Sequence, residues 1–314
     1  MIRLFEALGR RAAPILALSL FVGLLLPDLA RNLRPLVGPA IIGLMVCNVM
    51  RIDWRSVAGQ TSHPVRIALM LAWILIAVPL VTAGILRLLP LPEGLKQAIL
   101  LTVSSPVLTA VPTFVLMMGL DGALALFAVI ATSVLQPLVQ PPVIYWLLGV
   151  ELNLPLGQLM FRLAMFVGAG FGIGLLLRRL AGGDRIVRWD RAIGGAAVGL
   201  LVIFGIGVMD GTTALLLENP ALVLLYLLAG LVTNFVVQIL AVAAFWPMSR
   251  HPALTIALTG GCRNLANLVA VLGPAAGPEI TLFLAVGQFP LYFIPALFGP
   301  FYRRLLTRDE LSRH

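Results

Sequence analysis

Apolar residues in this chain run in long unbroken stretches. They do not alternate at the period of two that a membrane barrel strand requires. A helix needs about 20 mostly apolar residues to cross the hydrocarbon core. Stretches of that kind lie at approximately 12–28, 35–50, 65–89, 94–118, 122–148, 156–177, 191–210, 220–246, 253–273 and 278–301. The pattern therefore predicts an all-α membrane protein of ten transmembrane helices. Spans 4 and 5 are joined by a very short turn, as are spans 9 and 10, so each pair must be antiparallel neighbours. No stretch remains for a separate soluble domain, and residues 1–314 read as a single integral membrane unit.

One span has an expensive middle. Leu254 to Gly273 reads LTIALTGGCRNLANLVAVLG. Thr259, Gly260, Gly261, Cys262, Arg263, Asn264 and Asn267 interrupt its apolar ends. Glycine weakens a helix by about 1 kcal/mol relative to alanine, and an arginine in hydrocarbon costs a few kcal/mol or more. Backbone comes unwound at membrane depth only where it is buried in protein or lines a watery cavity. Span 4 carries a comparable break, with Pro106 and Pro112 inside it.

The two halves of the chain look alike. Ala98-Ile99-Leu100 leads through Ser104-Ser105-Pro106, Thr109 and Pro112 to Gly119, then Ala128-Val129 and Gln136-Pro137. Ala257-Leu258 leads through Gly260-Gly261 and Asn264 to Leu272-Gly273, then Ala285-Val286, Gln288 and Pro290. Five spans per half (repeat 1 about 12–148, repeat 2 about 156–301) would invert the second half relative to the first. Inverted repeats with one broken helix each are a pattern of secondary transporters, with the site where the breaks meet.

Composition agrees and adds an orientation. The chain is 60% hydrophobic and 11% charged, against about a quarter charged in a soluble domain. Its net charge of +9 comes from arginines in short loops rather than from a nucleic-acid-binding face. With the N-terminus inside, Arg31, Arg34, Arg87 and Lys96 lie outside, Arg162 and Arg263 lie within spans, and every other basic residue lies inside. That bias predicts both termini in the cytoplasm, with Trp54, Trp189 and Trp246 at inner span ends. Arg3, Arg10 and Arg11 before Ala13–Leu26 mimic a signal peptide. No small-residue cleavage site follows, so this reads as a retained first helix. Cys47 and Cys262, both in apolar segments, suit neither a disulfide framework nor a thiol metal site. The chain has no HExxH, GxSxG or P-loop sequence, which argues against an enzyme and against ATP-driven transport.

Pro79-Leu80, the loop Leu88-Leu89-Pro90-Leu91-Pro92-Glu93 and the span closing on Ser104-Ser105-Pro106 resemble the bile acid:sodium symporter family of bacterial transporters. Ile41 to Met45 through Asp53 to His63-Pro64, Gly261-x-x-Asn264 and Gln136-Pro137 are similar to other parts of it. The resemblance covers essentially the whole chain. It implies a panel of helices 1, 2, 6 and 7 and a core of helices 3–5 and 8–10, with helices 4 and 9 unwound and crossing. It also implies sodium-driven uptake of organic anions, with arsenite exporters as distant relatives. The departures from the family fall on its sodium ligands. Thr259 stands at the position of a Glu, and Arg263 at that of a Gln. Val111-Pro112 lies near the position of a Ser-Asn pair, and Ile74 near that of a Gln. Hard cations want several oxygens, commonly a carboxylate among them, so loss of both sodium sites is expected and no metal is assigned.

The candidate substrate-binding residues are Arg263, Asn264, Asn267, Thr259, Thr109, Thr113, Asn234, Gln238, Gln136 and Gln288, with Pro106, Pro112, Gly260 and Gly261 at the breaks. Arg263 offers a fixed charge and a bidentate fork to an anion, or it caps carbonyls freed where the helices unwind. Asn264 and Asn267 share a helical face. Thr109 and Thr113 either bond substrate or back-bond to their helix. Asn234 and Gln238 either line the cavity or join helices. Asp210 and Asp121 are the acids near span ends that could relay a proton, whereas His63 and His251, each before a proline, read as turn residues.

The reading is thus a secondary transporter of a small organic anion in the bacterial inner membrane, working by alternating access without a cofactor. Its partners are the substrate and the lipid bilayer, not nucleic acid. One alternative is a sodium symporter with displaced ligands, such as Asn264, Thr109 and backbone carbonyls. Another is a non-transporting membrane scaffold or sensor. Oligomeric state, substrate identity and transport direction are not legible in the sequence.

Overall fold

Proline and glycine punctuate an otherwise helical chain, and several of them stand where helices begin or stop. The computed structural model describes residues 12–148, 155–272 and 276–306. Gly273 and the terminal basic residues Arg3, Arg10, Arg11, Arg308 and Arg313 lie outside them. Helices α1 (Ala12–Leu25) and α2 (Pro27–Leu33) lead through a 3-10 turn to α3 (Val37–Met50). The expected loop between the first two spans is therefore mostly helical, begun by Pro27 in the first turn, where its missing N–H costs nothing. Next come α4 (Trp54–Gln60), α5 (Pro64–Ala72), a π turn (Trp73–Ala77) and α6 (Val78–Arg87). The first half closes with α7 (Glu93–Val103), α8 (Val111–Met117) and α9 (Gly122–Leu148).

The second half holds α10 (Leu156–Ala181), α11 (Gly183–Gly207), α12 (Thr212–Glu218) and α13 (Pro220–Phe245). It ends with α14 (Arg250–Gly261), α15 (Leu265–Leu272), α16 (Gly277–Val286) and α17 (Gln288–Leu305). Among the described residues, six helices are long and apolar enough to cross a membrane: Pro27–Met50, Pro64–Arg87, Gly122–Leu148, Leu156–Ala181, Gly183–Glu218 and Pro220–Phe245. The expected spans 94–118 and 253–273 are each divided into two short helices, α7/α8 and α14/α15.

Helix α3 packs between α10 and α11, and α1 lies along α11. Small residues permit this closeness: a Cβ on Gly174 of α10 would come within 2.8 Å of Val49 on α3. Elsewhere α13 packs on α14, α7 on α16, and α8 on α9. Short helices α8 and α15 sit between these groups, and α15 also touches α3 and α10.

Candidate functional site

The site begins with carbonyls that interrupted helices leave without donors. Helix α7 stops before Pro106, so Ser105 O lacks the donor that the fourth residue on would supply in a continued helix. Pro79 does something similar on the neighbouring span. In a regular helix Val78 N would donate to Ile74 O, but here it donates to Trp73 O, closing a π turn. The next donor along would be residue 79, which is proline, so Ile74 O is also released. Buried carbonyls of this kind must find a donor, and in lipid no water supplies one.

Arg263 takes both. Its Nη1 donates to Ser105 O at 3.0 Å and its Nη2 to Ile74 O at 3.1 Å. The residue is 2% exposed, and its Nε has no hydrogen-bond partner. No carboxylate pairs with it among the described residues.

The two breaks are themselves bonded together. Leu108 N donates to Cys262 O and Asn264 N donates to Pro106 O, each at 2.9 Å, so Val107 and Arg263 form an isolated antiparallel bridge. Val107 N finds the Thr132 hydroxyl of α9 at 3.0 Å. Every one of these bonds answers a backbone group left over by the interruption, which is why both helices can stop in mid-protein.

Two polar networks flank this crossing. In one, Asn267 donates to Gln136, Gln136 to Gln140 at 2.7 Å, and Gln140 to the Ser105 hydroxyl. In the other, Tyr302 donates to Gln238 at 2.6 Å, Gln238 to Asn234 at 2.5 Å, and Asn234 to Gly261 O at 2.7 Å. Gly260 and Gly261 are the last residues of α14, and the unwound segment is Cys262 to Asn264. Gly261 is where α13 presses closest: a Cβ there would lie 2.5 Å from Gln238 Cγ.

The candidate residues from the sequence are thus divided by the fold. Arg263, Asn264, Asn267 and Gln136 meet at the crossing, and Asn234 and Gln238 brace it from α13. Thr259 is buried below it with its hydroxyl unpartnered. Gln288 stands apart, donating to Leu284 O of the preceding turn. Pro112 sits in the first turn of α8.

Thr109 and Thr113 border a different space, a cavity of about 220 Å³ shared with Asn48, Ser133, Arg51 and Asp190. It lies between α3, α10 and α11 on one side and α8 and α9 on the other. A second cavity, about 420 Å³, lies between the far ends of α3 and α11 and helices α15 and α16, beside Arg34 and Asp210. Arg263 and Asn234 border only a small space of about 30 Å³, room for a water or two.

Other charged residues found structural roles. Asp121 accepts from Leu124 N at 2.9 Å as a helix cap, Asp210 pairs with Arg34 at 2.6 Å, and Arg162 is exposed. His251, expected in a turn, lies in the first turn of α14 within 3.1 Å of Gly119 O. Sequence reasoning missed Ile74 as the second acceptor for Arg263, although Pro79 carries the signal. It also missed Arg51 and Asp190 as cavity residues, because their pairing spans 139 positions.

The chain matches the family model described as the Sodium Bile acid symporter family over residues 38–218, more than half of its length. No curated protein matches it.

Proposed function

The chain belongs to the Sodium Bile acid symporter family, a family of membrane transporters, and from that premise we propose a sodium-independent transporter of a small organic anion. The single observation carrying this reading is the place of Arg263. Its guanidinium bridges Ser105 O and Ile74 O where the two broken helices cross. Unwound carbonyls and half-helix ends of this type are what hold a sodium ion in other broken-helix transporters. Here a side-chain cation takes the oxygens, and Thr259, at the position where the resemblance implies a Glu, brings no negative charge. Two positions implied as sodium ligands, 74 and 263, are joined directly by that side chain.

The rest of the reading follows a transporter frame. The ten spans form a 5+5 inverted repeat, with α7/α8 and α14/α15 as its broken fourth and ninth helices. Helices α1, α3, α10 and α11 make the panel and the others the core. The cavities at opposite ends of α3, both between panel and core, are the two access routes. Thr109 and Thr113 touch substrate in one of them. Asn264, Asn267, Gln136, Asn234 and Gln238 shape the crossing beside it, and Arg263 adds its positive field. The protein lies in the bacterial inner membrane with both termini in the cytoplasm. Uptake is coupled to a proton, to exchange, or to nothing.

Counterflow in proteoliposomes tests this. Vesicles loaded with acetate, benzoate, succinate and taurocholate, then given each labelled acid in turn in potassium medium, are expected to accumulate at least one. Absence of exchange with all four in potassium, followed by its appearance in sodium, would overturn the reading in favour of a sodium symporter.

A further inference from the structure

We propose that Arg51 is the direct charge partner of the substrate at one face, with the Asp190 carboxylate holding its place between substrates. This rests on the organic-anion reading above. The Arg51 guanidinium binds Asp190 through Nε at 2.6 Å and Nη2 at 3.0 Å, the two-pronged geometry that a substrate carboxylate would also use. Its third nitrogen, Nη1, has no acceptor among the described residues and lies over Gly194, where a Cβ would approach it to 3.3 Å. Arg51 and Asp190 both border the 220 Å³ cavity, together with Asn48, Thr109 and Thr113. The cavity therefore contains a fixed cation and several neutral hydrogen-bonding groups, and its single carboxylate is already spent on that cation.

The pair is built to open. Arg51 and Asp190 side chains are 35% and 46% exposed, and pairs that wet are weak enough for a second carboxylate to displace the first. The arginine itself is held in place. It caps α3, and the Arg178 side chain of α10 donates to Met50 O just before it.

The far end of the same two helices repeats the arrangement. Arg34 pairs with Asp210 at 2.6 Å beside the 420 Å³ cavity. Arg34 and Arg51 stand about 25 Å apart along helix, so each access route has one arginine and one placeholder acid. The more sheltered Asp210, 15% exposed, makes that pair the harder to displace. An anion leaving one arginine meets a second on the other side, and each aspartate reclaims its partner behind it.

The two members of a merely structural pair would fail together, whereas a placeholder and a binder have opposite effects. The test is ligand-induced thermal stabilisation of the full chain in phosphatidylcholine nanodiscs, which carry no anionic headgroup to compete. The probes are acetate, benzoate, succinate and taurocholate. For an acid that stabilises the unmodified protein, Asp190→Asn is expected to bind about two- to fivefold more tightly, since it removes a weak competitor. Arg51→Gln is expected to bind about ten- to a hundredfold more weakly, having lost a charge-assisted pair. Arg51→Lys, which keeps the charge and loses the fork, falls between them. A gain on Asp190→Asn cannot arise from misfolding. Equal weakening by Asp190→Asn and Arg51→Gln overturns the proposal while leaving the organic-anion reading intact. No stabilisation of the unmodified protein by any acid overturns both.

Discussion

At the scale of single residues, Arg263 ties the two interrupted spans together. Leaving a buried acceptor without its donor costs about 1–3 kcal/mol, and Arg263 serves two, Ser105 O and Ile74 O. Arg263→Ala is therefore expected to lower stability by about 2–5 kcal/mol in thermal or denaturant unfolding, and Arg263→Lys, with a point charge in place of a fork, by less. An alanine variant as stable as the original would show that the two carbonyls do not depend on this side chain. The importance of Arg263 was legible in the sequence because an intramembrane cation is expensive. Its partner Ile74 was legible only in part. Pro79 announces a missing N–H, but whether the ladder slips into a π turn or kinks depends on what waits to accept the freed carbonyl. The Arg51–Asp190 pair was not legible at all: Arg51 alone reads as a loop charge that orients the chain, and nothing near Asp190 in sequence points to it.

At the scale of elements, the structure separates two glycines that the sequence presents as one motif. Gly260 faces open packing, its nearest contacts to an added Cβ being 3.7 Å from Ile74 and 4.0 Å from Trp73. Gly261 faces α13, with Gln238 Cγ at 2.5 Å and Asn234 O at 3.2 Å. Gly260→Ala is expected to be neutral or stabilising by up to about 1 kcal/mol, the helix-propensity gain. Gly261→Ala is expected to cost about 1–3 kcal/mol by overpacking and to loosen the Asn234 bond to the end of α14. Melting temperatures of the two variants, side by side, check the pair. Equal effects would mean that helix propensity, not the approach of α13, explains the glycines. The breaks themselves were visible in the sequence. That they bond to each other, Leu108 to Cys262 and Asn264 to Pro106, was not, because the residues lie more than 150 positions apart and no local pattern pairs them.

At the scale of the whole molecule, a chain of the Sodium Bile acid symporter family carries an arginine side chain where its two broken helices cross. The all-helical fold was legible, and so were the six helices long and apolar enough to cross a membrane among the described residues, because length and apolarity alone specify such a span. The division of the candidate residues between a tight crossing and a wider cavity was not, since only the packing of α3, α10 and α11 against α8 and α9 creates that space. The two cavities at opposite ends of α3 suit alternating access, and the Arg–Asp pair beside each suits an anion as cargo. Sodium binding to the purified full-length protein tests the central claim without needing the substrate. Thermal unfolding in sodium chloride and in potassium chloride of equal strength, together with retention of radiolabelled sodium, is the measurement. The account predicts the same melting temperature in both salts and no retained sodium. Stabilisation specific to sodium with saturable retention would contradict it, since sodium at ten times its Kd stabilises by about 1.4 kcal/mol.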